Sequence, residues 1–240
     1  MTAYEPIMMQ TSDPNRQEGD AQIPQPKHRH AMVGPFDLWE HKRQFQFQFL
    51  RLIGLDPSHR LLDLGCGTLR GGIPLIAYLH EGHYTGIEVR PQLISEAKQE
   101  LHEESLAHKK PVLLCCDHLD GVELDDKFDV IWSFSVLIHM DDETLDKALS
   151  FVRRHLAPTG RFLANVNLGD RPDSVWQGFP LVWRPLAFYD SAFQRHGLQL
   201  AELGALKLYG HRNRQLDRTT AISQRMLRGT LAGGAQQMQR

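Results

Sequence analysis

Short apolar runs alternate along this chain with longer segments whose apolar residues recur every third or fourth position. The runs are LLDL at 61–64, HYTGIEV at 83–89, PVLLCCD at 111–117, FDVIWS at 128–133 and RFLANV at 161–166. Their apolar residues are consecutive rather than alternate, which suits strands of a parallel sheet buried on both faces. Between them lie helical patterns. IPLIAYL at 73–79 follows the first run. Pro91 opens a second helix with Leu93, Ile94, Ala97 and Leu101 on one face. A third helix has Asp141 or Asp142 as cap, Glu143 in its first turn and Leu145, Leu149, Val152 and Leu156 as its apolar face. Its basic residues, Arg153, Arg154 and His155, sit near the C-terminal end, as the helix dipole prefers. A short helix from about 190 ends at Gly197, LQLAELGALKL at 198–208 reads as a sixth strand bulged at Gly204, and QRMLRGTL at 224–231 as the last strand. Strands alternating with helices predict a doubly wound, Rossmann-like α/β fold: a mostly parallel sheet with helices on both faces.

Two stretches carry a mixed pattern. In 35–53, FQFQF alternates like a strand, yet Phe45, Phe49, Leu52 and Ile53 also recur at helical spacing, bounded by Trp39, Gly54 and Pro57. Helix is the reading taken, because a helix can pack across the sheet edge and cover a ligand. Residues 167–189 have no clear period and carry Trp176, Phe179, Trp183, Phe188 and Tyr189. Such aromatics beyond a central strand either wall a substrate pocket or form a satellite core under a long loop. The first 30 or so residues, rich in Pro, Gln, Asp and Asn, read as a solvated tail, His28 and His30 included. The expected organisation is a tail over 1–33, one domain over 34–231 and a flexible end over 232–240.

Composition adds limits. A length of 240 residues suits one α/β domain or two small ones. The net charge of -2 gives no reason to expect a nucleic acid or an anionic membrane as partner. The stretch 211–240 is basic, with six Arg against one Asp, and reads as a solvated hairpin loop and tail rather than a contact for an anionic partner. No run reaches the length of a membrane span, and no basic start with a long apolar core marks a leader. Cys66, Cys115 and Cys116 read as reduced thiols of a cytoplasmic protein, the last two as small buried hydrophobes in a strand.

The chemistry gathers around 60–72, RLLDLGCGTLRGG: a strand, a glycine turn and a helix start. Gly65 permits the tight turn, and Gly67 leaves no side chain between backbone and ligand. Glu88 ends the second strand about twenty residues later, where a βαβ nucleotide fold places an acid to accept from ribose hydroxyls. With Asp63 two residues before Gly65, the turn resembles motif I of the class I S-adenosylmethionine (SAM) methyltransferases, acidic-x-Gly-x-Gly-x-Gly. It departs at the third glycine, which falls on Leu69, with glycines at 71 and 72 instead. FDVI at 128–131 resembles motif IV, and LAPTGRFLANV at 156–166 resembles the approach to the fifth strand. VGPFDLWEHKRQFQFQFL at 33–50, SFSVLIHM and QRMLR are similar to a bacterial subgroup of small SAM-dependent methyltransferases, and the resemblance runs over about 34–230.

That resemblance implies a seven-stranded sheet with a final antiparallel strand, SAM as cofactor, and a small-molecule acceptor methylated on O or N. It implies that Gly65, Cys66 and Gly67 present backbone to the cofactor beside Asp63. Glu88 would hold the ribose, Asp117 the adenine amine, His118 would touch the base through its backbone, and Ser133 would lie near the methionine end. Arg70 either meets the cofactor carboxylate or is exposed at the helix start. His139, shortly after the fourth strand, is the candidate base, or else a histidine that anchors its loop. No metal site is expected. The rival readings are a nucleotide-dependent oxidoreductase, whose glycine spacing Gly65, Gly67 and Gly71 also satisfy, and a non-catalytic SAM-binding module.

Overall fold

A computed structural model describes residues 28–212 and 224–233 of the chain. The strands are β1 (Leu61–Leu64), β2 (Tyr84–Glu88), β3 (Val112–Cys115), β4 (Phe128–Ser133), β5 (Leu156–Asn167), β6 (Ser174–Trp176), β7 (Phe179–Leu181), β8 (Leu198–Ala205) and β9 (Gln224–Leu231). The helices are α1 (Trp39–Leu52), α2 (Gly72–Tyr78), α3 (Pro91–Glu103), α4 (Asp142–His155) and α5 (Leu186–Arg195). Seven strands form one sheet in the order β3-β2-β1-β4-β5-β9-β8. Neighbours from β3 to β5 are parallel, whereas β9 runs antiparallel to both β5 and β8.

Why the central runs are apolar throughout is visible in β1, whose four residues are all buried. Successive side chains point to opposite faces of a strand. Leu61 packs with Phe49, Leu50 and Ile73 of α1 and α2, while Leu62 and Leu64 pack with Leu145 and Leu149 of α4. Each such side chain contributes about 1.5–3 kcal/mol by leaving water. The chain leaves β1 towards β2 and, on the other side, arrives at β4, so the strand order reverses between β1 and β4. A crevice opens at such a reversal, outside the C-terminal ends of the strands.

Asp141 caps α4, accepting from the Thr144 N–H at 2.8 Å. The bulge at Gly204 is present as a register shift between Glu202 and Gly204, but the strand stops at Ala205 and a 3-10 turn takes Leu206–Tyr209. Helix α5 begins at Leu186, earlier than its pattern suggested, because Pro185 stands at its N-cap. Cys115 is exposed and Cys116 partly so, not buried as expected: β3 is the outermost strand and has no neighbour on one side. The aromatic stretch divides by residue. Ser174–Trp176 and Phe179–Leu181 pair as a hairpin whose turn residues, Gln177 and Gly178, both have positive φ, while Tyr189 goes into the core. The basic loop expected after Arg212 lies over 213–223, outside the described residues.

The expected boundary at 34 is also corrected. His28–Val33 forms a 3-10 turn, and His30, expected in solvent, is 8% exposed and stacks on Trp39 with ring centres 3.7 Å apart. Arg29 holds this strap to α3, donating to Glu96 at 3.0 Å, to Glu100 at 2.5 Å and to Glu103 at 2.8 Å. Among the described residues no helix is long and apolar enough to cross a membrane.

Candidate active site

A cavity of about 320 Å³ occupies the crevice at the ends of β1, β2 and β4. Its floor is the glycine turn. The N–H groups of Gly65 and Cys66 both donate to the Ile87 carbonyl, at 2.8 and 3.0 Å, which ties the turn to β2. Gly65 and Gly67 have φ of +84° and +56°, in the left-handed region. Each is also hemmed in. A Cβ on Gly65 would collide with Val136 from the loop after β4, and one on Gly67 would stand 2.9 Å from Val33 of the strap. Leu69, where the motif has its third glycine, keeps the glycine-like backbone with φ of +63°. Its side chain is fully buried in the core, which offsets the strain of that conformation.

Glu88 stands at the end of β2, 5% exposed. One carboxylate oxygen accepts from the Gly67 N–H at 3.1 Å, and the other from the N–H and Nε of Arg90, both at 3.1 Å. The donors fix its direction; the oxygens retain lone pairs for a ligand's hydroxyls. Asp63, on β1, accepts from the Tyr84 hydroxyl at 2.7 Å. Burial pushes its carboxyl up to about 7; the Tyr84 bond opposes this, the nearby Glu88 charge adds to it, and Arg70 draws it down. Asp117 and His118 form the outer wall just beyond β3. Both are exposed, and the His118 ring bonds the Asp117 carboxylate at 2.5 Å. Cys66 lines the cavity as a neutral thiol, since burial raises its pKa well above the ordinary value.

Ser133 does not reach the cavity. It is buried, and its hydroxyl donates to the Leu64 carbonyl at 3.0 Å, fastening β4 to β1. Its neighbours Phe134 and Ser135 provide the wall instead. Ser135 has φ of +60°, held by its N–H donating to the Asn165 side chain at 2.6 Å. Exposure of Arg70 is corrected too. The residue is 7% exposed, lines the cavity and donates through Nη1 to the Val33 carbonyl at 2.8 Å.

On the opposite wall, His139 closes a 3-10 turn, with Nδ1 2.8 Å from the Pro180 carbonyl. A carbonyl only accepts, so Nδ1 carries the proton and Nε2 of the neutral ring holds a free lone pair. Burial lowers the pKa of His139, the Pro180 bond raises it, and Arg90 and Lys42 lower it further. The ring stacks on Trp176 at 5.3 Å, and Phe179 stands 6.3 Å away. The hairpin thus covers the cavity beside the histidine.

Sequence reasoning missed Val33, Gln46 and Arg90 as cavity residues. For Gln46 a signal existed: a polar residue inside the apolar face of α1, where its Oε1 accepts from Trp132 Nε1 at 3.1 Å. Among the described residues no group of three His, Cys, Asp or Glu side chains could hold a metal. The donor set is asymmetric. Carboxylates at 63, 88 and 117 favour hydroxyls, amines and positive charge, and disfavour a diphosphate. Arg70 and the partnerless buried hydroxyl of Thr68 mark a polar end beyond the glycine turn.

Residues 62–162 match the methyltransferase domain family. The fold is shared with magnesium protoporphyrin IX methyltransferase from Synechocystis, solved with bound SAM: TM-score 0.60, covering 89% of this chain and 86% of that one, at 18% identity. This stretch is similar to a methyltransferase domain, and the fold is that of a methyltransferase solved with its cofactor. Curated relatives include an uncharacterized methyltransferase of Schizosaccharomyces pombe, 31% identical over 109 residues, which are 43% of this chain and 38% of that protein. Methyltransferase GfsG of Streptomyces halstedii is 27% identical over 171 residues, 65% of this chain and 58% of its own length. The chain thus spans about two fifths to three fifths of these relatives.

Proposed function

We propose that this protein is an S-adenosylmethionine-dependent methyltransferase that acts on an oxygen or nitrogen of a small-molecule acceptor. The observation that carries the reading is the arrangement around one cavity. Acidic acceptors end β2 and follow β3, the glycine turn stands next to them at the end of β1, and a neutral His139 with a free Nε2 stands on the far wall. When bound, SAM supplies a methyl group on a cationic sulfur, with a neutral leaving group. Glu88 accepts from the ribose hydroxyls and Asp117 from the adenine amine, with His118 beside it. The backbone of Gly65, Cys66 and Gly67 runs along the cofactor, beside the buried Asp63, which the Tyr84 hydroxyl holds in place. Ser133 acts indirectly, by holding the Phe134–Ser135 wall in place. Trp176 and Phe179 exclude water and align the acceptor, which is the main demand of an in-line transfer. His139 takes the acceptor proton at Nε2 as the bond to carbon forms.

A dinucleotide-dependent oxidoreductase is disfavoured because its diphosphate would face the carboxylates of Asp63 and Glu88. A small acceptor is favoured over nucleic acid because the hairpin covers the cavity. The three free cysteines fit a reducing compartment such as the cytoplasm.

The test is a thermal shift with SAM, its demethylated product, NADH and NADPH, followed by radiolabelled SAM with fractionated metabolites, RNA and protein. Stabilisation by the first two ligands and label in the metabolite fraction are expected. Stabilisation by NADH or NADPH alone would sink the reading, and label confined to RNA would sink the small-molecule acceptor.

A further inference from the structure

The hairpin β6–β7 has no core of its own. The residues of β6 are exposed, those of β7 are half-buried, and a two-stranded hairpin is marginal in water by itself. Contacts at its base hold it. The Arg184 guanidinium clamps Asp173 across the base, at 2.6 and 2.8 Å, and donates through Nε to Asp142 of α4 at 2.9 Å. The Val182 N–H donates to the Ile138 carbonyl at 2.9 Å, and the Pro180 carbonyl accepts from His139. These contacts lie on the β4–α4 side of the crevice. On the β2 side stands Arg90, its guanidinium carbon 5.4 Å from the centre of the Phe179 ring. Strand β1 separates β2 from β4 in the sheet, so the hairpin bridges the crevice as a lid, from a hinge at Arg184 to Arg90.

We propose that Arg90 is the latch of this lid and a positioning residue for His139: it joins Glu88 to Phe179, and by fixing Phe179 it fixes the next residue, Pro180, whose carbonyl sets the tautomer of His139. The latch itself is a property of the ligand-free chain. Its consequence for methyl transfer rests on the reading of Glu88 and His139 given above.

Arg90 is held before it touches the hairpin. Its N–H and its Nε both donate to one Glu88 oxygen, each at 3.1 Å, which fixes where the guanidinium stands. A guanidinium so fixed keeps its delocalised charge near the ring, which an ammonium on a flexible stem reproduces only in part. The contacts run without a break from Glu88 through Arg90, Phe179 and Pro180 to His139. Opening the lid takes the Pro180 carbonyl away from Nδ1. A neutral imidazole without that acceptor prefers its proton on Nε2, the atom that must stay bare to accept one. An open lid therefore admits an acceptor and disables the base, and the latched lid restores it.

The experiment is hydrogen exchange of the full, ligand-free chain, read on the amides of 174–182, together with nitrogen NMR of the His139 ring, assigned by its absence from His139→Gln. Arg90→Met and Phe179→Leu should each speed exchange of the hairpin about threefold or more. The double variant should go no further than the faster single one, because both substitutions break the same contact. Each should move the His139 proton from Nδ1 towards Nε2, and Arg90→Lys should recover part of the protection. Exchange over α4 should stay unchanged, which separates an opened lid from a loosened fold. Phe179→Leu leaves the Glu88–Arg90 pair in place, so it tests the latch even where Arg90→Met does not fold. Unchanged hairpin exchange in the folded variants, additive effects of the two substitutions, or a His139 proton that stays on Nδ1 would overturn the latch with the cofactor reading intact. Failure of the native protein to bind SAM would sink the cofactor reading and leave the ligand-free result standing.

Discussion

At the scale of the residue, the site depends on which atom of a side chain is already committed. Glu88 is aimed by Gly67 and Arg90 before any ligand arrives. His139 is committed at Nδ1, and that leaves Nε2 as the one atom able to accept a proton. His139→Ala is therefore expected to lower turnover about a hundredfold or more, with SAM affinity held, and to remove the acidic limb of the pH–rate profile. A fall in melting temperature with turnover per folded molecule unchanged would instead make the histidine an anchor for the hairpin. The glycines teach a related point. That 65 and 67 must be glycine was legible from the turn, but the neighbours that enforce it, Val136 and Val33, come from distant loops. Leu69 shows the converse: the backbone of the motif survives a leucine because the core takes the side chain.

At the scale of the element, the strap His28–Val33 is the part of the chain whose role its composition concealed. Arg29 joins it to three glutamates spaced along α3, and Glu100 among them is 1% exposed. Removing one partner of a buried ion pair costs about 3 kcal/mol or more, since the other charge stays buried. Arg29→Ala should accordingly melt roughly 5–10 °C lower and bind SAM more weakly, because Met32 and Val33 line the cavity. Unchanged melting and unchanged SAM affinity would show that the strap is held by other contacts. The hairpin β6–β7 is the second such element: its short strands carry too few residues for a period, yet its turn and its register place Trp176 and Phe179 opposite each other over His139.

For the whole molecule, stability against pH should report the buried His211, which packs between Phe45 and Phe134. Its folded pKa is lowered to about 3 by burial and by Lys42, His41 and Arg70, against about 6.5 in an unfolded chain. The unfolded state therefore binds the extra proton. The contribution is fully present above about pH 6.5 and is lost as the pH falls towards 3. Asp63 works in the opposite sense: raised to about 7, it favours the folded chain at low pH and gives up that advantage as the pH rises from about 4 to 7. Comparison with His211→Phe separates the two. The variant is expected to lose less melting temperature than the native protein between pH 7 and pH 4, and an equal loss in both would remove His211 as a cause.

What the sequence determined by itself is local. Runs of consecutive apolar residues can satisfy only strands covered on both faces. A glycine turn after such a run, and an acid at the end of the next, follow from the spacing of one βαβ unit; β1, β2, Glu88 and the helices α2 to α4 were legible for that reason. Only the tertiary structure decided which groups far apart in the chain would meet. It put β9 between β5 and β8, and it left β3 on the edge with Cys115 exposed. It turned Ser133 to Leu64, set Pro180 against His139, and brought Arg70 to Lys42 and Val33. A side chain's partner depends on where packing sends both elements. No period or spacing within either one encodes that meeting.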